Sequence, residues 1–419
     1  MSEEVKHVFW EKGPGLRAGI ADFKKHVTVK SVTAGFIAAV FGCTGPALVT
    51  INAAMNAGFT QVEAVTWLFG IYFFGGCISI FMALYYKTPI VGAFTIPGAS
   101  MLGVTLMGYS LNEAGGAYII SGVIVLILGV TGLVKIAMKW LPLPIVMGMI
   151  AGAMLRFGTG IVTSTAALPI ICGAALVGFF IPIFLKKFPP VLGAMVFGVA
   201  ALIITGGFNM ADASFSYIAP QLVLPHFNPA LVLSVSIPIA ALVIGGDGNA
   251  QAIGVLYTQK YKVPINAMTV ISGFGGIAAG LVGAHNANIA GPMTAICSSE
   301  AAGDAKEGRY TAAVMNGIFF GSFGVLASFA IAFVRVIPGQ LIGVLAGLAM
   351  INVLISCFQG GFNTGKCKMG AFAALIIAAS NVTILSIGSA FWALIGGVLV
   401  SLICEKKDFN DLVKGKEEK

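Results

Sequence analysis

TPIVGAFTIPGASM (residues 88–101) decides how the rest of the chain reads. It lies in an almost continuous apolar region, yet Pro89 and Pro97 each remove a backbone donor, and Gly92 and Gly98 loosen any helix. In hydrocarbon, backbone groups left unpaired by such an interruption are tolerated only where protein or a water-filled cavity receives them. An interrupted span is therefore a candidate binding site. A second interrupted stretch, GAHNANIAGPMTAICS (residues 283–298), carries Pro292, 195 positions after Pro97.

The surroundings support a bilayer. Of 419 residues, 58% are hydrophobic and 10% charged, with mean hydropathy +0.96. A soluble chain carries about 25% charged residues. Apolar runs of this length imply an all-α polytopic membrane protein, not a barrel of short alternating strands. The net charge of +8 does not point to nucleic acid, because the bases gather in the N-terminal segment, the tail and short loops. The seven cysteines show no CxxC spacing and read as small core hydrophobes. Residues 1–30 are polar and lack the apolar core of a cleavable signal peptide.

Apolar spans are expected at about 31–51, 64–86, 93–108, 114–138, 143–163, 167–185 and 190–207. After a polar interlude at 208–228, seven more follow at about 230–257, 265–284, 288–302, 309–334, 339–357, 370–386 and 388–404. Threading fourteen spans from a cytoplasmic N-terminus places Lys87, Lys135, Lys139, Lys186, Lys187, Lys260, Lys262, Lys306, Arg309, Lys366 and Lys368 on cytoplasmic loops or their margins. Lys406 and Lys407 then follow the last span inside, and Arg335 alone falls outside. Two outer turns carry capping boxes, Thr60-x-x-Glu63 and Ser110-x-x-Glu113.

The offset of 195 recurs. It aligns Gly129 with Gly324, Gly148, Ala151 and Gly152 with Gly343, Ala346 and Gly347, and Gly193 with Gly388. A seven-span unit repeated once must be inverted in the membrane, which is the inverted-repeat transporter architecture with its site near the midplane.

Fifteen of the sixteen carboxylates fall in termini, turns or loop margins, and Asp247 alone lies deep in an apolar stretch, ALVIGGDGNAQAIGVL. A charged Asp there costs several kcal/mol unless it faces a cavity or binds a proton. Asp247 is read as a proton-coupling or ligand-contacting group, with structural hydrogen bonding the alternative. Asn249 and Gln251 follow it, and at the repeat offset it answers Asn52, beside Thr50 and Asn56. Around the second break lie His285, Asn286 and Asn288, which serve either the site or the freed backbone. Arg156, the one base within a span, is read as structural. The histidines form no metal-ligand cluster and no Walker loop occurs, so neither metal, other cofactor nor ATP-driven pumping is expected.

Half-helices starting near Pro97 and Pro292 would aim their N-terminal amides at each other and form an anion site without an arginine. Phe94 and the apolar neighbours Ile96, Ile289 and Ala290 would line the rest. Such a pocket suits a small carboxylate with an apolar or aromatic body.

Several blocks resemble the benzoate/proton symporters of BenE type: TIPGASML at 95–102, the 110–133 stretch with its LNEAGG start and GVTGL end, MLRFG at 154–158 and GAHNANIAGPMTAICSSE at 283–300. The resemblance covers most of the chain. It implies a seven-plus-seven inverted repeat shared with uracil/proton symporters and sulfate-type anion transporters, with spans three and ten each a short strand leading into a half-helix. It also implies core segments at 31–138 and 229–336, and gate segments at 139–228 (with the outer loop) and 337–404. Residues 1–30 and 405–419 would be cytoplasmic. The family's transport is pictured as an elevator-like core movement, often within a dimer.

Asn249, His285 and Asn288 match polar positions associated with that family, whereas Asp247 stands where those relatives often have a small or uncharged residue and uracil symporters an acid. The implied function is proton-coupled uptake of benzoate or a related aromatic carboxylate across the inner membrane, not enzymatic catalysis. Substrate contacts would come from Asn52, Phe94, Thr95, Ile96, Asn249, Gln251, Asn288, Ala290 and Gly291, and proton coupling from Asp247 and His285. A nucleobase or small inorganic anion carrier of the same fold, or an anion channel, is the alternative.

Overall fold

The computed structural model describes residues 9–133, 142–185, 190–207, 216–245, 248–380, 382, 384 and 389–414. The first half runs α1 (Leu16–His26), α2 (Val29–Cys43), α3 (Gly45–Asn56), α4 (Gln61–Tyr86), β1 (Gly92–Ala93), α5 (Ile96–Thr105), α6 (Leu111–Thr131), α7 (Leu143–Ala167), α8 (Pro169–Leu185) and α9 (Pro190–Thr205). A π turn, Val232–Ser236, leads the second half into α10 (Ile237–Gly245), α11 (Asn249–Thr258), α12 (Ile265–Gly280), β2 (Asn288–Ile289) and α13 (Gly291–Ser298). There follow α14 (Tyr310–Val325), α15 (Ala327–Arg335), α16 (Gly339–Phe362), α17 (Lys368–Ser380), α18 (Ser389–Cys404) and α19 (Lys406–Lys414). Among the described residues, five helical stretches are by themselves long and apolar enough to cross a bilayer, and the other apolar helices are shorter.

Local sequence explains the ends and breaks. Both capping boxes form: Glu63 and Glu113 each accept a hydrogen bond from the backbone N–H of the N-cap residue, at 2.8 and 3.0 Å. The stretch expected at about 31–51 is split at Thr44 into α2 and α3, with Pro46 inside the first turn of α3. The stretch expected at about 230–257 is interrupted between α10 and α11, where glycines surround Asp247; Gly246 and Asp247 lie outside the described residues. The stretch expected at about 309–334 divides at Leu326.

The helices form two packing groups. In one, α6 packs on α12, and α14 lies against both α4 and α2. In the other, α7 packs on α16 and α17, α8 on α9, and α17 on α18. Glycines allow the closest approaches in the first group. A Cβ added at Gly275 would lie 2.3 Å from the Ala287 carbonyl oxygen, and one at Gly92 would lie 2.5 Å from that of Gly75. The two strands can therefore press directly on α12 and α4.

Two further stretches tie the ends of this first group. Near the N-terminus, the Glu11 carboxylate accepts from the Asn266 and Ala267 N–H groups at the start of α12, and Asp22 pairs with Lys87 at 2.6 Å. Tyr310 donates to the Gly19 carbonyl. In the segment 216–228, Gln221 N–H donates to Thr66, Val223 N–H to the Leu281 carbonyl and the Asn228 amide to Glu113.

Gly275→Val should force β2 off α12, costing about 1–3 kcal/mol by overpacking, and should lower the melting temperature in detergent. Gly173→Ala, where nothing lies within 4 Å of the added Cβ, should be neutral or slightly stabilising. A second expectation concerns acid. Hydrogen bonds from the Ser110 backbone, and next from Asn228, hold the Glu113 carboxyl below its ordinary value of 4.5. A lowered folded-state pKa stabilises the fold above the unfolded value and is lost as pH falls through the lowered one. Melting curves should show wild type losing stability relative to Glu113→Gln below about pH 4.5, with the gap between them constant above it.

Candidate functional site

At the two breaks the chain must satisfy backbone groups that helices would otherwise pair. β1 and β2 do so first for each other, antiparallel, with Gly92 opposite Ile289 and Ala93 opposite Asn288. Side chains complete the job. Ser79 on α4 accepts from Gly92 N–H (2.7 Å) and donates to the Gly92 carbonyl (3.1 Å). Ser272 on α12 accepts from Ile289 N–H (3.2 Å). Thr294 of α13 accepts from Val91 N–H, while Ala290 N–H donates to the Val91 carbonyl at 2.9 Å.

The two half-helices start differently. Thr95 caps α5: its hydroxyl accepts from Gly98 N–H, its own N–H donates to Asn286 Oδ1 (3.2 Å), and its carbonyl is held by His285 Nε2 (3.0 Å). Trp67 Nε1–H donates to His285 Nδ1 at 2.9 Å, which leaves the imidazole proton on Nε2 for that contact. His285 is thus a neutral bridge with both nitrogens engaged, enclosed by the rings of Trp67, Phe94 and Tyr118. At α13 the N-cap is Ala290, which supplies no side-chain cap, and Pro292 has no N–H. Its first-turn amides therefore have no side-chain acceptor among the described residues.

A void of about 20 Å³, lined by Phe94, Ile96, Ala290 and Pro292 among others, lies between the two starts. A cavity of about 460 Å³ continues from it. On one side stand Phe41, Ile96, Pro97, Gly245, Ala250, Gln251 and Pro292. On the other stand Leu143, Met147 and Ile150 of α7, with Asn352, Ser356 and Cys357 of α16. The cavity lies on the seam between the packing groups. A larger cavity of about 690 Å³ lies elsewhere, lined by α2, α3, α9, α15 and α16. Its lining is apolar apart from Cys43 and Thr44, and the Thr44 hydroxyl is spent on the Val40 carbonyl (2.9 Å), so it presents no donor set for an anion.

The expected site residues separate accordingly. Ile96 and Gln251 line the 460 Å³ cavity, and Gln251 lies against Gly291, where an added Cβ would be 2.6 Å from its Oε1. Phe94 and Ala290 line the small void. Thr95, His285, Asn249 and Asn288 are buried behind it. Asn249 Oδ1 accepts from Ser272, the serine that supports β2, and the Asn288 amide donates to the Ile289 carbonyl. Asn52, half-buried on α3, lines neither of these two cavities. Asp247 lies outside the described residues.

Arg156 on α7 donates to the Ser100 carbonyl of α5, with its guanidinium carbon 5.0 Å from the Phe157 ring centre. Asn352 and Ser356 were not singled out from sequence. Their signal was a pair of polar residues four apart in an apolar helix, which share one face.

A helical chain in which two strand-and-half-helix units meet at a cavity on a seam is a membrane transporter in fold. It is similar, at TM-score 0.59 and 15% identity, to the transmembrane domain of a cyanobacterial bicarbonate transporter, BicA, over 89% of this chain and 98% of that one. It is also similar to the murine Slc26a9 anion transporter in its inward-facing state, at TM-score 0.58 and 14% identity, over 93% of this chain and 70% of that one. The family model described as benzoate membrane transport protein, BenE, matches residues 25–403, and the chain belongs to that family. Among curated relatives, it is 29% identical over 383 residues to the inner membrane protein YdcO of Escherichia coli, covering 90% of this chain and 98% of the relative. It is 26% identical over 386 residues to the benzoate membrane transport protein of Acinetobacter baylyi, covering 91% and 97%. The chain is accordingly a membrane transporter and not an enzyme.

His285→Ala should strand the buried Trp67 N–H and remove one of the Thr95 carbonyl's donors. A loss of about 1–3 kcal/mol is expected, read as a lower melting temperature in detergent, with His285→Gln less severe.

Proposed function

We propose that this transporter carries benzoate or a closely related aromatic carboxylate into the cell together with protons. The observation that carries the reading is the start of α13, uncapped by any side chain among the described residues and facing α5 across a cavity with an otherwise largely apolar wall. Backbone N–H groups at a helix start, reinforced by the helix dipole, bind an anion. Phe41, Leu143, Met147 and Ile150 would cover the ring. Membership in a family described as benzoate membrane transport proteins favours that substrate over a nucleobase or a small inorganic anion.

In this reading Ile96, Gln251 and Gly291 contact substrate, with Phe94 and Ala290 closing the void beneath it. Thr95, Asn249 and Asn288 hold the strands, and Asn52 lies farther off. Asp247 is the proton carrier. Its flanks bracket the site: Gly245 lines the cavity, and a Cβ at Gly248 would lie 2.5 Å from Asn288 Nδ2. His285 positions the α5 cap, because protonating Nδ1 would replace an acceptor with a donor facing the Trp67 N–H.

The offset of 195 carries residues 143–167 of α7 to 338–362, against an observed α16 of Gly339–Phe362, and the start of α5 onto the start of α13. That register supports fourteen spans in an inverted seven-plus-seven repeat, with strand-containing spans three and ten. The basic loops favour cytoplasmic termini. The first packing group would act as the moving core and the second as the gate, in an elevator-like motion within a homodimer. The Arg156–Ser100 contact would have to break in each cycle.

The test is uptake of radiolabelled benzoate into proteoliposomes with an imposed pH gradient, acidic outside. Wild type should accumulate benzoate above equilibrium and lose this when a protonophore is added. Asp247→Asn should retain exchange of bound for free substrate but lose gradient-driven accumulation. Full accumulation by Asp247→Asn would remove Asp247 from the proton path.

A further inference from the structure

The cavity wall opposite the half-helices is not uniformly greasy. Asn352 and Ser356, one helical turn apart on α16, both line it, and both are exposed. The Ser356 hydroxyl donates to its own helix at the Asn352 carbonyl (2.9 Å), so toward the cavity it offers lone pairs. Among the described residues the Asn352 side-chain amide makes no hydrogen bond, leaving two donors and an acceptor for a ligand. No basic residue lines the cavity among the described residues.

A plain benzoate has one polar end. Seated with its carboxylate at the α13 start, it would present a bare ring edge to Asn352 and Ser356. When the seam closes, those two groups would lose water without replacement, which is costly for polar groups. A ligand matched to both walls has an anionic end, a flat apolar body and a neutral group at the far end that both donates and accepts. A second carboxylate is disfavoured, since the far wall supplies no positive charge. A phenolic hydroxyl meets every condition: its O–H donates to Asn352 Oδ1 or Ser356 Oγ, and its oxygen accepts from the Asn352 amide. An ortho hydroxyl does not, because it bonds internally to the adjacent carboxylate.

We propose that Asn352 and Ser356 are specificity-determining residues that select aromatic monocarboxylates carrying a ring hydroxyl meta or para to the carboxylate. The inference rests on the aromatic-carboxylate reading above and names the members of that class this site prefers. Site volume agrees, since about 460 Å³ lies within the range of roughly 300–1,000 Å³ typical of small-molecule sites and leaves room for substituents.

The test uses full-length protein in proteoliposomes and measures inhibition of radiolabelled benzoate uptake by unlabelled benzoate and by 2-, 3- and 4-hydroxybenzoate. In wild type, 3- or 4-hydroxybenzoate should inhibit about tenfold more strongly than benzoate, the size of one good hydrogen bond, and 2-hydroxybenzoate should track benzoate. In Asn352→Leu/Ser356→Ala the ratio between the best hydroxybenzoate and benzoate should fall to about one. Equal inhibition by all four compounds in wild type overturns the proposal whether or not the variant folds, as does a ratio that persists in the variant. Benzoate uptake without a hydroxyl advantage sinks this inference alone. A wild-type protein that neither transports benzoate nor is protected from heat by any of the four compounds overturns the aromatic-carboxylate reading and this one with it.

Discussion

The structure depends on pairing the backbone where two apolar stretches stop being helical inside the protein. Water is not there to satisfy an open N–H or carbonyl, so each break must be met by protein. Two residues of antiparallel pairing between Gly92–Ala93 and Asn288–Ile289 join breaks nearly two hundred residues apart. Ser79, Ser272 and Thr294 supply the groups that a wider sheet would have supplied. Because these contacts draw on α4, α12 and α13, breaking one would loosen the whole first packing group.

That pairing also places the chemistry. It brings the starts of α5 and α13 to one void, where their dipoles add. The two starts then diverge: Thr95 closes the first turn of α5 with its own hydroxyl and is clamped by His285 and Asn286, while Ala290 leaves α13 uncapped. One half-helix start is thereby internally satisfied, and the other has no side-chain cap among the described residues. The 460 Å³ cavity opens along the seam between packing groups, where α7 and α16 form the far wall. A site divided between two bodies is the arrangement that lets relative motion change access to it.

Much of this was legible in residue order, and the missing parts share one cause. Proline and glycine marked both breaks, and the offset of 195 paired them before any contact was known. The capping boxes at Thr60 and Ser110 marked two helix starts correctly because a capping box is local. Polar residues near a break were harder to place. By composition Asn249, His285 and Asn288 read equally as ligand groups or as partners for freed backbone, and in the fold they are buried and make hydrogen bonds to helix, strand and cap. A buried amide that supports backbone and one that contacts substrate have the same composition. Asn352 and Ser356 lacked any nearby break, so only the packing of α16 across the seam showed that they face the same cavity as Pro97 and Pro292.

Sequence alone determined the membrane class and where the two apolar stretches stop being helical, because bilayer thickness and proline's missing donor act through local composition. Tertiary structure alone decided which half-helix start has a side-chain cap among the described residues, which polar groups are buried and which distant helix completes the cavity. Those outcomes depend on who satisfies whose hydrogen bonds across hundreds of residues, and no local pattern in the chain carries that information.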